Sequence, residues 1–379
     1  AAADFIGQFG VGFYSCFKVA DRVTVITRRD DDTVGTRWES HGVADYTIDD
    51  VADCQRGTAV TLELKPKDAE IGIEDYTERV VLERVVRRYT DFISYPIVYV
   101  GPDSVVDSSG QRTERADARI ILNSQRPIWT RPEQEVTAQE YTEFYHHITN
   151  DWTEPLLRMS LKAEGRWEYS SLLFVPAQAP SDLFYHDARF GLQLYSNRIL
   201  LVDECSDLIP RYLRFVKGVV DAADVPLNVS RQALQHPEHL VRIRRWLTRR
   251  VLDTIATLKS KDALKFSTLW QQFGRVLKEG IAEDHENRDR LLSFSMFRSS
   301  MSDEPTTLGA YVSRMKSEQL HIYYLTGQTR QVIEASPHKE QCRKLGYEVL
   351  YLDEPVDELV VQAVPHYNSH ALKSVATFR

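Results

Sequence analysis

Apolar and polar residues alternate with a period of two in several short runs near the start of the chain, the pattern of strands with one covered face. Residues 22–27 form the first run, with residues 12–20 ahead of it reading as a short helix. Residues 36–39 and 45–48 read as short strands, and residues 57–64 as a clearer one with Val60, Leu62 and Leu64 on one face. The connections are too short for crossovers, so an antiparallel meander is predicted. Residues 75–94 then read as a helix, with an apolar stripe from Val80 to Tyr89 opposite Arg79, Arg84, Arg87 and Arg88. Residues 101–117 are polar, contain Ser108, Ser109 and Gly110, and read as an interdomain linker.

From Ala118 onward helical and strand patterns mix. Residues 140–147 read as helix, and residues 167–175 and 192–202 as strands. Between those strands, residues 176–184 carry two prolines and no regular period, so they read as a loop bearing Leu183 and Phe184. A long helix is predicted over 239–258 and further helices over 264–279 and 287–295, joined by residues 279–284. The last stretch alternates between helix and strand, with strands at 322–325 and 348–352. That order implies a small α/β subdomain with parallel strands. The region from 118 thus divides into parts at 118–238, 239–306 and 307–379.

The length of 379 residues, with 42% hydrophobic and 27% charged, allows two or three domains. A net charge of -8 argues against a nucleic-acid protein. The arginines at 242, 244, 245, 249 and 250 read as a solvated helix face, because Trp246 falls on the apolar side. Cys16, Cys54, Cys205 and Cys342 are widely separated and show no zinc spacing, which fits reduced thiols in the cytoplasm. His146 and His147 are adjacent and face different ways, a poor metal pair, so no metal site is expected from these residues. No run is apolar enough to span a bilayer and no signal peptide is visible, so no membrane role is expected. The chain opens inside a motif without a methionine and reads as a fragment.

That motif is the richest stretch for chemistry. Gly7, Gly10 and Gly12 fall within six positions, just ahead of the first helix. Glycines let a ligand approach the backbone, and a helix start offers unpaired N–H groups, so the stretch suits phosphate. A P-loop is excluded, since no Gly-Lys-Ser/Thr triplet occurs. A dinucleotide fingerprint nearly fits at Gly10 and Gly12, with Asp30 to Asp32 in the ribose position, but no strand precedes it.

The whole string from Ile6 to Ser15 resembles the heat-shock protein 90 chaperones. The resemblance recurs in Gly57 to Val60, in Asp91 to Ile97, in Arg126 to Arg131, in Asp221 to Gln235, in Glu279 to Asp284 and in His321 to Gly327, and so covers nearly the whole chain. It implies an α+β and α/β fold. Residues 1–100 would be the C-terminal part of a Bergerat-type, gyrase- and histidine-kinase-like ATP-binding sandwich, and residues 118–379 a middle domain. The short linker fits a bacterial member. The resemblance further implies that Gly7, Gln8, Phe9, Gly10, Val11, Gly12 and Phe13 close an ATP lid, with backbone amides on the terminal phosphates, and that Thr58 lies under the adenine. Arg231 would meet the γ-phosphate, a role suited to a planar, permanently charged group. Gln235 would lie nearby and Asn228 would shape the loop. Gln232 and Ala233 depart from the family's usual Glu-Met.

For the Leu183 and Phe184 loop and for Trp129 the resemblance implies client contact; simple packing is the alternative. It implies ATP and Mg2+ as cofactors, with the principal Mg2+ ligand, the catalytic glutamate and the adenine-binding aspartate all ahead of this chain. The fragment alone is therefore expected not to turn over ATP. Partly folded clients, and a homodimer formed through a further domain, complete the implied picture of a cytoplasmic, stress-responsive chaperone. The rivals are a gyrase- or mismatch-repair-type ATPase, a non-catalytic client-binding module and a nicotinamide-dependent oxidoreductase.

Overall fold

The computed structural model describes residues 11–43, 45–106, 112–163, 168–185, 187–223 and 237–377. The chain divides into two compact units, one holding the described residues up to Pro127 together with Ser196–Leu200, the other holding the rest.

In the first unit a short 3-10 turn, Val11–Ser15, runs into the single-turn helix α1 (Cys16–Val19). Four strands follow: β1 (Ala20–Arg28), β2 (Gly35–Ser40), β3 (Tyr46–Val51) and β4 (Gly57–Leu64). Their order is β3-β2-β1-β4, antiparallel throughout. The first three strands are the predicted meander. β4 departs from it by returning to the free edge of β1, where Val60 and Leu62 meet Val25 and Val23.

Side chains two apart on a strand share a face, and so do directly paired residues. Val23, Val25, Thr27, Trp38, Ile48, Thr58 and Val60 therefore lie on one side of the sheet. The other side is polar: Arg22 pairs with Glu63, Thr24 donates to Glu39 (2.9 Å), and Arg37 pairs with Glu39 (2.6 Å).

Helix α2 (Arg79–Tyr89) is shorter than the predicted span. Thr77 bonds back to the Asp75 carboxylate ahead of it (2.5 Å), closing a turn where helix was expected. Within the predicted linker, residues 101–106 and 112–117 lie in strands instead: β5 (Val98–Val106) and β6 (Arg112–Ile121) pair antiparallel. Gly101 and Pro102, which read as linker punctuation, sit at a register shift in β5, the place where a ladder tolerates a residue without an N–H. Asn123 secures the base of this pair, accepting from Ile97 N (2.7 Å) and donating to Ile93 O and Tyr95 O (3.2 and 3.0 Å).

After Pro127 come α3 (Ala138–Thr149), β7 (Leu157–Ala163), β8 (Tyr169–Val175), β9 (Leu192–Ser196), β10 (Ile199–Cys205) and β11 (Lys217–Ala222), which belong to the second unit except for Ser196–Leu200. The strand predicted over 192–202 breaks into β9 and β10 at Asn197 and Arg198, whose φ angles of 49° and 68° fit a type I′ hairpin turn. The sheet order is β10-β9-β11-β8-β7, with β11 antiparallel to β8 and parallel to β9. Strands β7 and β11 escaped the sequence reading. β11 is buried at Gly218, Val219, Val220 and Ala222, so it lacks the alternation of a half-exposed strand.

Three helices follow: α4 (Pro237–Lys261), α5 (Ala263–Glu283) and α6 (Arg288–Phe294). α5 runs through residues 279–283, which had read as a connection. Gly280 belongs inside it because a Cβ there would stand 2.7 Å from the Tyr212 ring. Phe215 and Phe273 stack at 4.2 Å between the sheet's connections and α5.

The small subdomain comprises β12 (Arg298–Ser299), α7 (Leu308–Arg314), β13 (His321–Thr326), α8 (Arg330–Ala335), α9 (Glu340–Leu345), β14 (Val349–Leu352), α10 (Pro355–Ala363), β15 (His366–Tyr367) and β16 (His370–Ser374). Its order is β12-β14-β13-β16-β15; β13 runs parallel to β14, as the alternating pattern predicted, and also to β16, a strand the sequence reading did not place.

α5 and the start of α10 are joined by a buried charge. Lys278 Nζ lies 2.7 Å from Glu354 Oε2 and 2.7 Å from Asp357 Oδ1, the two carboxylates that cap α10. Burial pushes the Asp357 carboxyl up even with this ammonium beside it. Lys278→Ala is expected to cost about 3–5 kcal/mol, because it leaves Asp357 buried and unpaired. A lowered urea midpoint at unchanged slope would show it.

A second prediction concerns pH. Thr137 and Glu140 form a capping box at the start of α3, and Arg131 reaches Glu140 Oε1 at 2.8 Å. The Thr137 backbone N–H, then Arg131, hold the Glu140 pKa at about 2, below the ordinary 4.5. A depressed carboxyl contributes stability above its unfolded pKa and loses it as pH falls toward the folded one. Acid titration of Glu140→Gln should therefore lose less stability than the parent between those two values.

Candidate functional site

Of the residues implied in nucleotide binding, Gly7, Gln8, Phe9 and Gly10 lie outside the described residues, as do Asn228, Arg231 and Gln235. Val11 opens the 3-10 turn, and Gly12 and Phe13 follow within it. The Ser15 hydroxyl donates to Gly12 O (2.6 Å), and Lys65 Nζ donates to Phe17 O (2.9 Å), fixing the turn and α1 to the start of the sheet.

The turn doubles back over the apolar face. Phe13 packs edge-on against Trp38 at 5.5 Å between ring centroids, and Trp38 stands opposite Val25. Two positions along β1, Thr27 faces Thr58, and their hydroxyls are 2.8 Å apart. The structure thus brings Phe13 and Thr58 to one face of one sheet, although 45 positions separate them in the chain. Thr58 is exposed, and on the same face Ile48 and Val60 remain 59% and 48% exposed. Open apolar surface and an exposed hydroxyl beside it are groups that fit a flat, partly polar ring. Among the described residues no cluster of His, Cys, Asp or Glu fits a metal ion.

The residues implied in client contact separate by burial. Trp129 is 2% exposed, packs against Tyr195 at 4.9 Å and donates from Nε1 to Asp221 (3.1 Å). Leu183 is 4% exposed, whereas Phe184 beside it is 45% exposed. In this conformation Phe184 offers surface and the other two pack.

The Phe184 loop is held by α5. Ala179 N donates to Gln272 Oε1 (2.9 Å), and the Arg275 guanidinium lies 4.7 Å from the Phe184 ring centre. Arg214 is buried; its Nε donates to Leu183 O (2.8 Å), and its two terminal nitrogens reach Glu279 at 2.5 and 2.9 Å. Gln272, Arg275 and Glu279 follow the i, i+3, i+7 spacing that puts residues on one helix face. Sequence reasoning missed all four groups. Their contacts span 31 to 93 positions, and the one local sign was a polar stripe on an otherwise apolar helix.

Arg214→Ala is expected to free the loop and strand the Glu279 charge, at a cost of about 3–5 kcal/mol. Hydrogen exchange should quicken at Leu183 and Tyr185, whose N–H groups bond within the loop (3.1 and 2.9 Å), while β8 stays protected. Lysine at 214 should not restore protection, since it lacks the bidentate fork.

A family model described as Hsp90 protein matches residues 103–378. The chain is 47% identical over 386 residues to the chaperone protein HtpG of Frankia casuarinae, covering 99% of this chain and 59% of that protein. It is 48% identical to the HtpG of Mycobacterium tuberculosis over 382 residues and of Nocardia farcinica over 383, each covering 99% of this chain and 59% and 58% of those proteins. The chain therefore spans about three fifths of the length of these relatives. With nearly half its residues shared along its whole length, the chain belongs to the Hsp90 family.

Proposed function

We propose that the chain is part of an ATP-dependent molecular chaperone of the Hsp90 type, in which ATP closes a lid and docks domains around a partly folded client. The observation that carries this reading is the near-half identity to proteins named HtpG chaperones along 99% of the chain. The first unit supplies part of a Bergerat-type ATP-binding sandwich. Adenine lies on the apolar face beside Thr58, and the backbone amides of Gly7 to Phe13 hold the terminal phosphates. The principal Mg2+ ligand and the catalytic glutamate come from outside this chain.

Arg231 meets the γ-phosphate, with Gln235 beside it and Asn228 shaping the loop. Phosphoryl transfer spreads charge over the oxygens, which a guanidinium stabilises. Contacts to the γ-phosphate made only in the closed state shift the population toward closure. Clients meet the Phe184 loop. A homodimer in the cytoplasm, assembled through a further domain, completes the proposal. No helix among the described residues is long and apolar enough to cross a membrane.

A second reading, that the chain by itself is a client-binding module, draws support from the exposed Phe184. A calorimetric titration of a non-hydrolysable ATP analogue separates the two. Binding by the chain, weakened by Thr58→Ala, is expected if enough of the pocket is present. Silence, together with suppression of client aggregation without ATP, would favour the module. In a full-length chaperone carrying this segment, Arg231→Ala should lower turnover, by up to about 10³-fold, with ATP affinity nearly unchanged. Unaltered turnover would remove Arg231 from the mechanism.

A further inference from the structure

The exposed Phe184 stands at the edge of a wide cleft in the second unit. About 590 Å³ of space is enclosed between the loop, α5 and the β12–β14 edge of the small subdomain. Phe184, Trp270, Met296 and Tyr351 supply its apolar walls. Gly274 keeps the wall open, for a Cβ there would stand 2.7 Å from the Trp270 indole. The volume is in the range that accepts a side chain and its flanking backbone.

The charges of the cleft are unequally engaged. Asp353 is paired with Arg298 (3.3 Å), and Glu354 with Lys278 (2.7 Å). Arg275 is different. Its guanidinium stacks on Phe184, and it has no carboxylate or hydrogen-bond partner among the described residues. A guanidinium stacked on a ring keeps its N–H edge free, and that edge matches a carboxylate in bidentate geometry. The cleft's acids are spent and its unspent charge is positive.

We propose that this cleft binds an extended segment of a client in which an aromatic or large aliphatic residue stands beside an acidic one. The apolar side chain enters between Phe184 and Trp270, and the carboxylate pairs with Arg275. The proposal rests on the client-binding reading of Phe184 and adds to it a preference by charge. The α5 stripe that holds the loop thereby also sets what the loop selects. Gln272 and the Glu279–Arg214 pair fix the backbone, and Arg275 reads the ligand.

The test uses the 379-residue chain and two fluorescein-labelled peptides. One has a phenylalanine flanked by aspartates; its twin has lysines in place of the aspartates. Fluorescence anisotropy should give tighter binding of the acidic peptide, with the preference fading at high salt. Arg275→Glu should weaken the acidic peptide by about tenfold or more and reverse the preference toward the lysine twin. Phe184→Ala should weaken both peptides. Arg275 is exposed, so circular dichroism should find its variants folded.

Equal binding of the two peptides, unaffected by Arg275→Glu but abolished by Phe184→Ala, would overturn the acidic preference and leave client contact at Phe184 standing. Binding indifferent to both substitutions would overturn both readings at this loop. A reversal of preference in Arg275→Glu would establish the charge reading directly.

Discussion

Lys278 and Glu279 are neighbours in α5, and each fixes a different part of the second unit. Lys278 anchors the start of α10 and with it the small α/β subdomain; Glu279 engages Arg214 and through it the carbonyl of Leu183. Burying a charge costs several kcal/mol unless it is paired and hydrogen-bonded. Adjacent residues point in different directions from a helix, so one turn of α5 holds two elements at once. An apolar contact tolerates sliding, whereas a bidentate ion pair tolerates little. The position of Phe184 relative to the walls of its cleft depends on this constraint.

Much of the fold was legible where the chain's own pattern is short-range. The strands around residues 22–27 and 57–64, the long helix α4 and the parallel strands of the small subdomain follow from periodicity. What escaped were features decided by partners far away. β11 is covered on both faces and so shows no alternation. The β5–β6 pair looked like a linker because Gly101 and Pro102 read as turn residues, yet they sit at a register shift inside a strand. α5 continued past Gly280 because the Tyr212 ring fills the space a side chain would need.

The site divides the same way. The glycines and Thr58 were readable as motifs, and strand register supplies what the sequence lacked, a shared face for Phe13 and Thr58. For the client-contact residues the motif named three and burial distinguished them. Trp129 bonds to Asp221 and Leu183 lies under the loop, while Phe184 faces outward. Arg275 carried no signal beyond its place in a polar stripe, since an arginine on a helix is ordinarily a solvated charge. Its meaning comes from the ring beneath it and from acids already engaged elsewhere.

The strand order β10-β9-β11-β8-β7 has a consequence for synthesis. β11 is the last of the five to be made, yet it lies in the middle, between β9 and β8. Until Lys217–Ala222 has left the ribosome, β7–β8 and β9–β10 are separate hairpins whose inner edges have no partner. At about 5–20 residues per second, the 47 positions from Val175 to Ala222 take a few seconds to translate. For that interval the nascent chain presents bare strand edges to the crowded cell, where other chains could pair with them.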